Sequence, residues 1–209
     1  GIVPGDTDST LWTEVHAYDD LPRIVDPAHG WVHNANDPPW TAVVPRQLDP
    51  ELFPPYLSSR GMSLRAQRSV KLLAGGLPVS FEEMIAAKHS TRLELADRVL
   101  DDLLRSAAER GSRTARRAAL VLARWDRRAD PGSRGAVLFE RWARRAGLAD
   151  GGLFARGWDE DSPLTTPSGL ADPAAAVAAL RVAAEEVEAE YGEMDAPWGE
   201  AHRLRAGDI

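Results

Sequence analysis

The clearest structural signal in the chain runs from Asp172 to Gly192, in the stretch DPAAAVAALRVAAEEVEAEYG. Aspartate is a favoured N-cap, proline is favoured at the first helical position, and glycine is favoured just past a helix end. Between these signals, apolar residues recur at intervals of three and four, the period of a helix with one buried face. These residues are Val177, Leu180, Ala184, Val187 and Tyr191. The stretch therefore predicts a long helix.

Upstream of this stretch, cap residues and apolar spacing predict five further helices. Ser63 caps the first helix, which the Gly75-Gly76 pair stops, and Ser80 with Glu83 forms a capping-box sequence for the second. The predicted ranges are 63–73, 80–88, 93–107 (closed by Gly111), 115–125 and 136–146.

The first 58 residues differ in composition from the rest of the chain. Prolines at 4, 22, 27, 38, 39, 45, 50, 54 and 55 exclude long helices there, and 31–35 and 41–44 resemble short β-strands. We therefore expect a mainly α fold with a short β-containing N-terminal segment. The expected divisions are an irregular β segment over 1–58, a helical lobe over 59–192 and a return segment over 193–209.

Composition excludes several classes of protein. The chain has 209 residues, 44% hydrophobic and 27% charged, as in soluble globular proteins. No apolar run approaches the ~18 residues that span a bilayer. Because cysteine is absent, disulfide scaffolds, cysteine nucleophiles and cysteine-bound zinc are excluded.

Basic residues cluster locally although the net charge is −7. Such a cluster indicates either a nucleic-acid surface or, as we favour here, the solvated face of a helical hairpin, so no nucleic-acid partner is expected. Likewise, Glu94, Asp97, Asp101 and Asp102 are interpreted as a wet helix face rather than paired catalytic carboxylates. The clustered basic residues are Arg113, Arg116, Arg117, Arg124, Arg127, Arg128, Arg141, Arg144 and Arg145.

The most unusual stretch runs from Gly30 to Trp40, GWVHNANDPPW. If 31–35 are extended, Val32, Asn34 and Asn36 share one face, and asparagine is depleted in strands. One explanation is an Asx turn in which Asn36 or Asp37 bonds the backbone and ends the strand. The other is an oxyanion-hole donor, because a fixed carboxamide offers N–H groups without net charge. His29 and His33 have helical metal spacing, but Pro27 and Gly30 argue against a metal site.

This stretch, with Leu21-Pro22-Arg23 and Asp26-Pro27 before it, resembles the β-subunit signature of the penicillin acylase family. Within the family it is most similar to acyl-homoserine-lactone and aculeacin-type acylases. Later stretches extend the resemblance over essentially the whole chain: Leu64-Arg65-Ala66-Gln67-Arg68, Ser90-Thr91-Arg92, Ala96-Asp97-Arg98, Trp125-Asp126, Trp158-Asp159, Pro163-Leu164-Thr165-Thr166-Pro167, Gly169-Leu170-Ala171-Asp172, Trp198-Gly199 and His202-Arg203-Leu204.

The resemblance implies an N-terminal-nucleophile hydrolase with a four-layer αββα parent fold. A precursor cleaves itself, and the new N-terminal serine attacks an amide carbonyl with its own α-amino group as base. In the family pattern Asn36 is the oxyanion-hole amide and Arg65 supports the active site, with Arg68 as a weaker candidate for that support. Trp31 and Trp40, which flank the asparagine, are candidate substrate-binding residues.

The same resemblance implies what lies outside this chain. The serine, the base and most of the acyl pocket belong to the remaining α and β segments of the precursor, so the isolated chain is expected to be inactive. The substrate is expected to be a small N-acylated molecule, such as an acyl-homoserine lactone or a lipopeptide, cleaved outside the cytoplasm. No cofactor is required, although Asp49 or Glu51 could help to hold a structural calcium. The alternatives are a penicillin or cephalosporin acylase and a non-catalytic helical binding module.

Overall fold

A computed structural model of the chain describes residues 3–75, 78–147 and 152–203. The chain forms two compact units, Gly1–Met62 and Ser63–Ile209. Each unit is described by itself below. In the described ranges, no helix combines the length and apolarity needed to cross a bilayer.

The first unit holds only short 3-10 turns, at Asp8–Thr10, Tyr18–Asp20, Pro39–Thr41 and Pro50–Leu52. No β-strand occurs in its described residues, 3–62, so the strands expected at 31–35 and 41–44 are wrong. The 3-10 turn that begins at Pro39 includes residue 41, so the expected second strand does not start there. A single backbone hydrogen bond, from His33 N–H to the Ala42 carbonyl at 3.0 Å, joins the two stretches, which is too little for a ladder.

The period of two seen in this stretch nevertheless holds as a burial pattern. His33 and Ala35 are buried, whereas Val32, Asn34 and Asn36 are exposed. The alternation therefore predicted which side chains share a face, but not a strand pairing.

The second unit contains the helices and a small sheet. Every helix predicted from periodicity is confirmed, and one short helix, α7, was not expected. The helices are α1 (Leu64–Leu73), α2 (Phe81–Lys88), α3 (Glu94–Arg110), α4 (Arg113–Arg124), α5 (Ala136–Arg145), α6 (Pro173–Tyr191) and α7 (Trp198–Ala201). Strands β1 (Phe154–Arg156) and β2 (Ser168–Leu170) pair antiparallel between α5 and α6.

The predicted caps are present at the helix ends. Ser63 accepts a hydrogen bond from Ala66 N–H, and Ser80 forms a complete capping box with Glu83. Asp172 accepts from two backbone N–H groups at the start of α6, which ends at Gly192 with φ 82°. Gly76, half of the expected stop after α1, lies outside the described residues.

Helices α3 to α6 enclose the hydrophobic core of the second unit. Helix α6 packs against the other three, β2 and α1 lie on α3, and α7 lies on α5. Trp142 is fully buried and donates from its indole N–H to the Ala176 carbonyl at 3.0 Å, which joins α5 to the first turn of α6. The mainly helical fold is confirmed, while its two strands lie in the second unit rather than in the N-terminal segment.

Candidate functional site

The candidate oxyanion residue Asn36 occupies a left-handed backbone conformation. Its φ is 57°, a region that costs most side chains energy but that asparagine tolerates. The Asn36 backbone N–H donates to Oδ1 of Asn34 at 2.8 Å, which closes an Asx turn. An Asx turn is thus present, but its acceptor is Asn34, which is neither of the two residues expected to supply it. The Asn36 side chain is exposed.

Hydrogen bonds to backbone carbonyls fix the ends of this turn. The buried His33 ring contacts the Thr41 carbonyl through Nε2 at 2.8 Å. The Thr41 hydroxyl donates to the Pro38 carbonyl at 2.8 Å. These contacts close the loop 33–42 on itself, and Asn36 lies within this loop rather than at a strand end.

The two tryptophans beside the turn differ in exposure. Trp40 is buried, donates from its indole N–H to the Ser59 carbonyl at 2.8 Å, and stacks on Phe53 with 6.3 Å between ring centroids. Trp31 is half-buried between the rings of His29 and His33. Trp40 therefore anchors the loop by packing, and Trp31 keeps part of its indole accessible. A substrate contact of either residue stays a prediction.

The carboxylates considered for calcium both have partners within the first unit. Asp49 accepts from Glu51 N–H at 3.0 Å, and Glu51 pairs with Arg60. The described part of the chain contains no group of three or more His, Asp or Glu side chains that could hold a metal ion. The expected calcium stays a prediction, and no chemical step is assigned to it.

Arg65 and Arg68 both lie on α1, in the second unit, whereas Asn36 lies in the first. Arg65 is exposed and Arg68 is half-buried. The Nε atom of Arg68 is buried and has no hydrogen-bond acceptor among the described residues. Both arginines line a cavity of about 860 Å³ in the second unit.

This cavity has mainly apolar walls. Side chains of α1, α2, α5 and the start of α3 form it, together with Trp198. Its volume lies within the range of small-molecule sites, roughly 300–1,000 Å³. Its larger apolar residues are Leu64, Leu72, Leu73, Met84, Leu93, Leu95, Phe139 and Trp198.

The expectation that Glu94 lies on a wet helix face is wrong. Glu94 is 4% exposed, and its Oε1 pairs with Lys71 of α1 and with Arg98, at 2.9 Å from the latter. The helix start places Glu94 at the contact between α3 and α1, where water is excluded. A Glu and an Arg four residues apart hinted at the second pair, but Lys71 is 23 positions away along the chain.

Arg98 extends this buried cluster into a polar network. It donates to Oε1 of Gln67 at 2.6 Å and to the Leu164 carbonyl, while Gln67 donates to the Thr166 carbonyl at 2.9 Å. Three of the stretches that carry the family resemblance therefore meet here. The network joins α1, α3 and the loop before β2, which gives those stretches a structural role.

Asp97 belongs to a neighbouring charge cluster. Arg92 binds both of its carboxylate oxygens, at 2.9 and 2.7 Å, and Arg127 binds at 3.2 Å. Partial burial raises the pKa of Asp97, but the hydrogen bonds and charges of the two arginines outweigh burial and lower it. Asp101 and Asp102 are more exposed and pair with Arg127 and Arg105, as expected for the solvent-exposed face of α3.

Acidic residues of α6 face the clustered arginines of α4 and α5. Arg117 pairs with Glu188, Arg141 with Glu190, and Arg145 with Glu186. These pairs offset the positive charge between helices, as expected for a solvated helical face.

One comparison with known proteins bears on the whole chain. The sequence model of the family described as penicillin amidase matches residues 1–208, which include both the Asn36 turn and the helical unit. The chain therefore belongs to the penicillin amidase family, and this membership implies amide hydrolase activity for the full-length protein.

Proposed function

We propose that the full-length protein hydrolyses the amide bond of N-acylated small molecules and that Asn36 donates to the oxyanion. The observation that carries this proposal is the left-handed Asn36, held by Asn34, within a chain of the penicillin amidase family. Non-glycine residues in this conformation cluster at active sites. They persist where surrounding contacts offset the energetic cost of the conformation. The Asx turn supplies such a contact.

The chemistry of an amide side chain suits this role. When a nucleophile attacks an amide carbonyl, negative charge builds on the carbonyl oxygen, and a fixed N–H donor stabilises it. A carboxamide donates without carrying charge and has no proton to lose near neutral pH. Asn36 would therefore act as a donor across a broad pH range.

The other catalytic parts are assigned by the family pattern. We propose that an N-terminal serine outside residues 1–209, freed by precursor cleavage, is the nucleophile, and that Arg65 supports the site. The remaining precursor segments would then complete the enzyme. We also propose secretion or a periplasmic location, for which the family resemblance and the absence of cysteine are the support.

For the substrate we propose a hydrophobic acyl group on a homoserine lactone or a lipopeptide. The resemblance to acyl-homoserine-lactone and aculeacin-type acylases supports this choice over a β-lactam. Activity of this kind would place the enzyme in quorum quenching or in antibiotic metabolism.

A panel of N-acyl substrates tests the proposal on the intact processed protein. It should contain decanoyl-homoserine lactone, a lipopeptide, and phenylacetyl and glutaryl amides of β-lactam nuclei. We expect the highest kcat/KM with the long aliphatic acyl groups. Preference for the β-lactam amides would identify a penicillin or cephalosporin acylase. Absence of a freed N-terminal serine, tested by mass spectrometry, would indicate a non-catalytic module, whereas hydrolysis of none of the panel by protein that carries this serine would contradict the proposed substrates.

A further inference from the structure

Two cations that line the cavity of the second unit have no carboxylate partner among the described residues. Its lining includes Glu94, Glu140 and five basic residues, Arg65, Arg68, Lys88, Arg92 and Arg144. Glu94 is neutralised by Lys71 and Arg98, and Glu140 pairs with Arg144. Arg92 is engaged by Asp97. In the described part of the chain, Arg68 and Lys88 form no ion pair.

Arg68 also carries a buried polar atom that is not satisfied. Its Nε is out of contact with solvent and has no acceptor in the described residues. An unsatisfied buried donor is costly, and a guanidinium binds carboxylates strongly because its N–H groups match the two oxygens. Because Nε is closed off from the cavity, a carboxylate in this space would bind the terminal nitrogens of the Arg68 guanidinium, beside long apolar walls.

We infer that this cavity binds a single-chain carboxylate with a long aliphatic tail, its carboxylate held by Arg68 and Lys88. The tail would lie against Leu72, Leu73, Met84 and Leu95, and Trp198 lines the same space. Charge complementarity selects a carboxylate over a neutral or cationic amphiphile of equal length. This inference does not depend on the proposed amide hydrolysis, because it concerns binding within the helical unit and is tested by affinity rather than by turnover.

Isothermal titration of the full-length protein with dodecanoate, dodecanol and dodecyltrimethylammonium tests the charge preference. We expect dodecanoate to bind at least about tenfold more tightly than dodecanol, and the cation to bind most weakly. Shortening dodecanoate to decanoate should weaken binding roughly tenfold, because two buried CH₂ groups are lost. Equal affinity for the three head groups, or no binding of dodecanoate, would overturn the inference.

Variants locate the bound carboxylate in this cavity rather than elsewhere. Lys88→Met, alone and with Arg68→Met, should weaken dodecanoate binding at least about tenfold while leaving dodecanol binding unchanged. Ala87→Trp, which fills the cavity from α2, should weaken both ligands. Arg105→Met, on an exposed pair with Asp102, is the matched control and should change neither. If these cavity variants keep their folded circular dichroism and bind dodecanoate like the parent, the carboxylate lies elsewhere and the inference is wrong.

Discussion

Oδ1 of Asn34 lies 2.8 Å from the backbone N of Asn36 and accepts its hydrogen bond. This single contact closes the turn in which Asn36 takes its left-handed conformation. The contribution of the Asn36 side chain can therefore be separated from that of its backbone.

Removal of the Asn36 carboxamide is expected to lower kcat by roughly 10²–10³-fold, as for one lost oxyanion donor. Asn36→Ala and Asn36→Gly should be compared in the full-length enzyme with its best amide substrate. Glycine adopts positive φ without cost, so it removes the side chain while sparing the backbone. Both variants should lose activity alike and remain folded by circular dichroism. Near-normal kcat in Asn36→Gly would exclude the side chain from the mechanism.

Loss of the turn acceptor is expected to act through the position of Asn36. In Asn34→Ala the hydrogen bond disappears, which costs about 1 kcal/mol, and kcat should fall by roughly tenfold or less. In Asn34→Asp a carboxylate oxygen can accept the same N–H, so kcat should stay within about twofold of the parent. Steady-state kinetics on both variants decide this, and equal losses in the two would show that the acceptor is not what matters.

Glu94→Gln is expected to destabilise the protein by about 3 kcal/mol, because Lys71 and the buried Arg98 lose their shared counter-charge. The unfolding free energy from urea titration, followed by tryptophan fluorescence, measures this. Glu185→Gln, in the exposed pair with Arg181, is the control and should change it by less than about 0.5 kcal/mol. A small effect of Glu94→Gln would mean that the buried cluster contributes little net stability.

Asp97 is expected to contribute to acid unfolding. Its pKa is lower in the folded protein than its usual value of 3.8, so the unfolded state binds more protons between these two pKa values. Its stabilising effect is thus complete above about pH 5 and is lost as the pH falls through the folded pKa. Unfolding free energies between pH 2 and 7 should fall less steeply below pH 4 in Asp97→Asn than in the parent. Parallel curves for the two proteins would contradict this.

Gly135→Ala is expected to destabilise the start of α5 more than Gly192→Ala destabilises the end of α6. Both glycines have positive φ, so each substitution carries a backbone cost of about 1 kcal/mol. A Cβ on Gly135 would also lie 2.8 Å from the Cβ of Trp125, whereas a Cβ on Gly192 has nothing within 4 Å. Thermal unfolding should show the larger fall in Tm for Gly135→Ala. Equal falls would show that Trp125 shifts to accommodate the new methyl group at little cost.

The helices could be predicted from the sequence because their signals are local. Ser63, Ser80 and Asp172 cap backbone groups only two or three positions away, so the sequence carries the whole interaction. The buried cluster of Glu94 could not be predicted this way, since its charge balance depends on how α1 meets α3. Strand formation at 31–35 was not predictable either. The sequence shows a period of two there, but the described residues contain no strand that pairs with this stretch.

The candidate site was likewise predictable only in part. An Asx turn was expected from the side chain of Asn36 or Asp37 ahead of the proline pair, whereas Asn34 supplies the acceptor that is observed. The role of Asn36 in catalysis came from the family resemblance, not from the physics of the turn. The charge balance of the helical cavity had no sequence signal, because Arg68 and Lys88 come from α1 and α2, and the two glutamates that line the cavity pair with other residues.

Helix α2 forms one wall of that cavity, yet it buries none of its residues, and Phe81 and Met84 are exposed. A helix with so little buried apolar surface opens at a low free energy, well below that of global unfolding. The wall formed by α2 can therefore move or unfold locally while α3 to α6 stay intact. Local motion of this helix, rather than the stability of the whole fold, would then set how well the cavity keeps its shape.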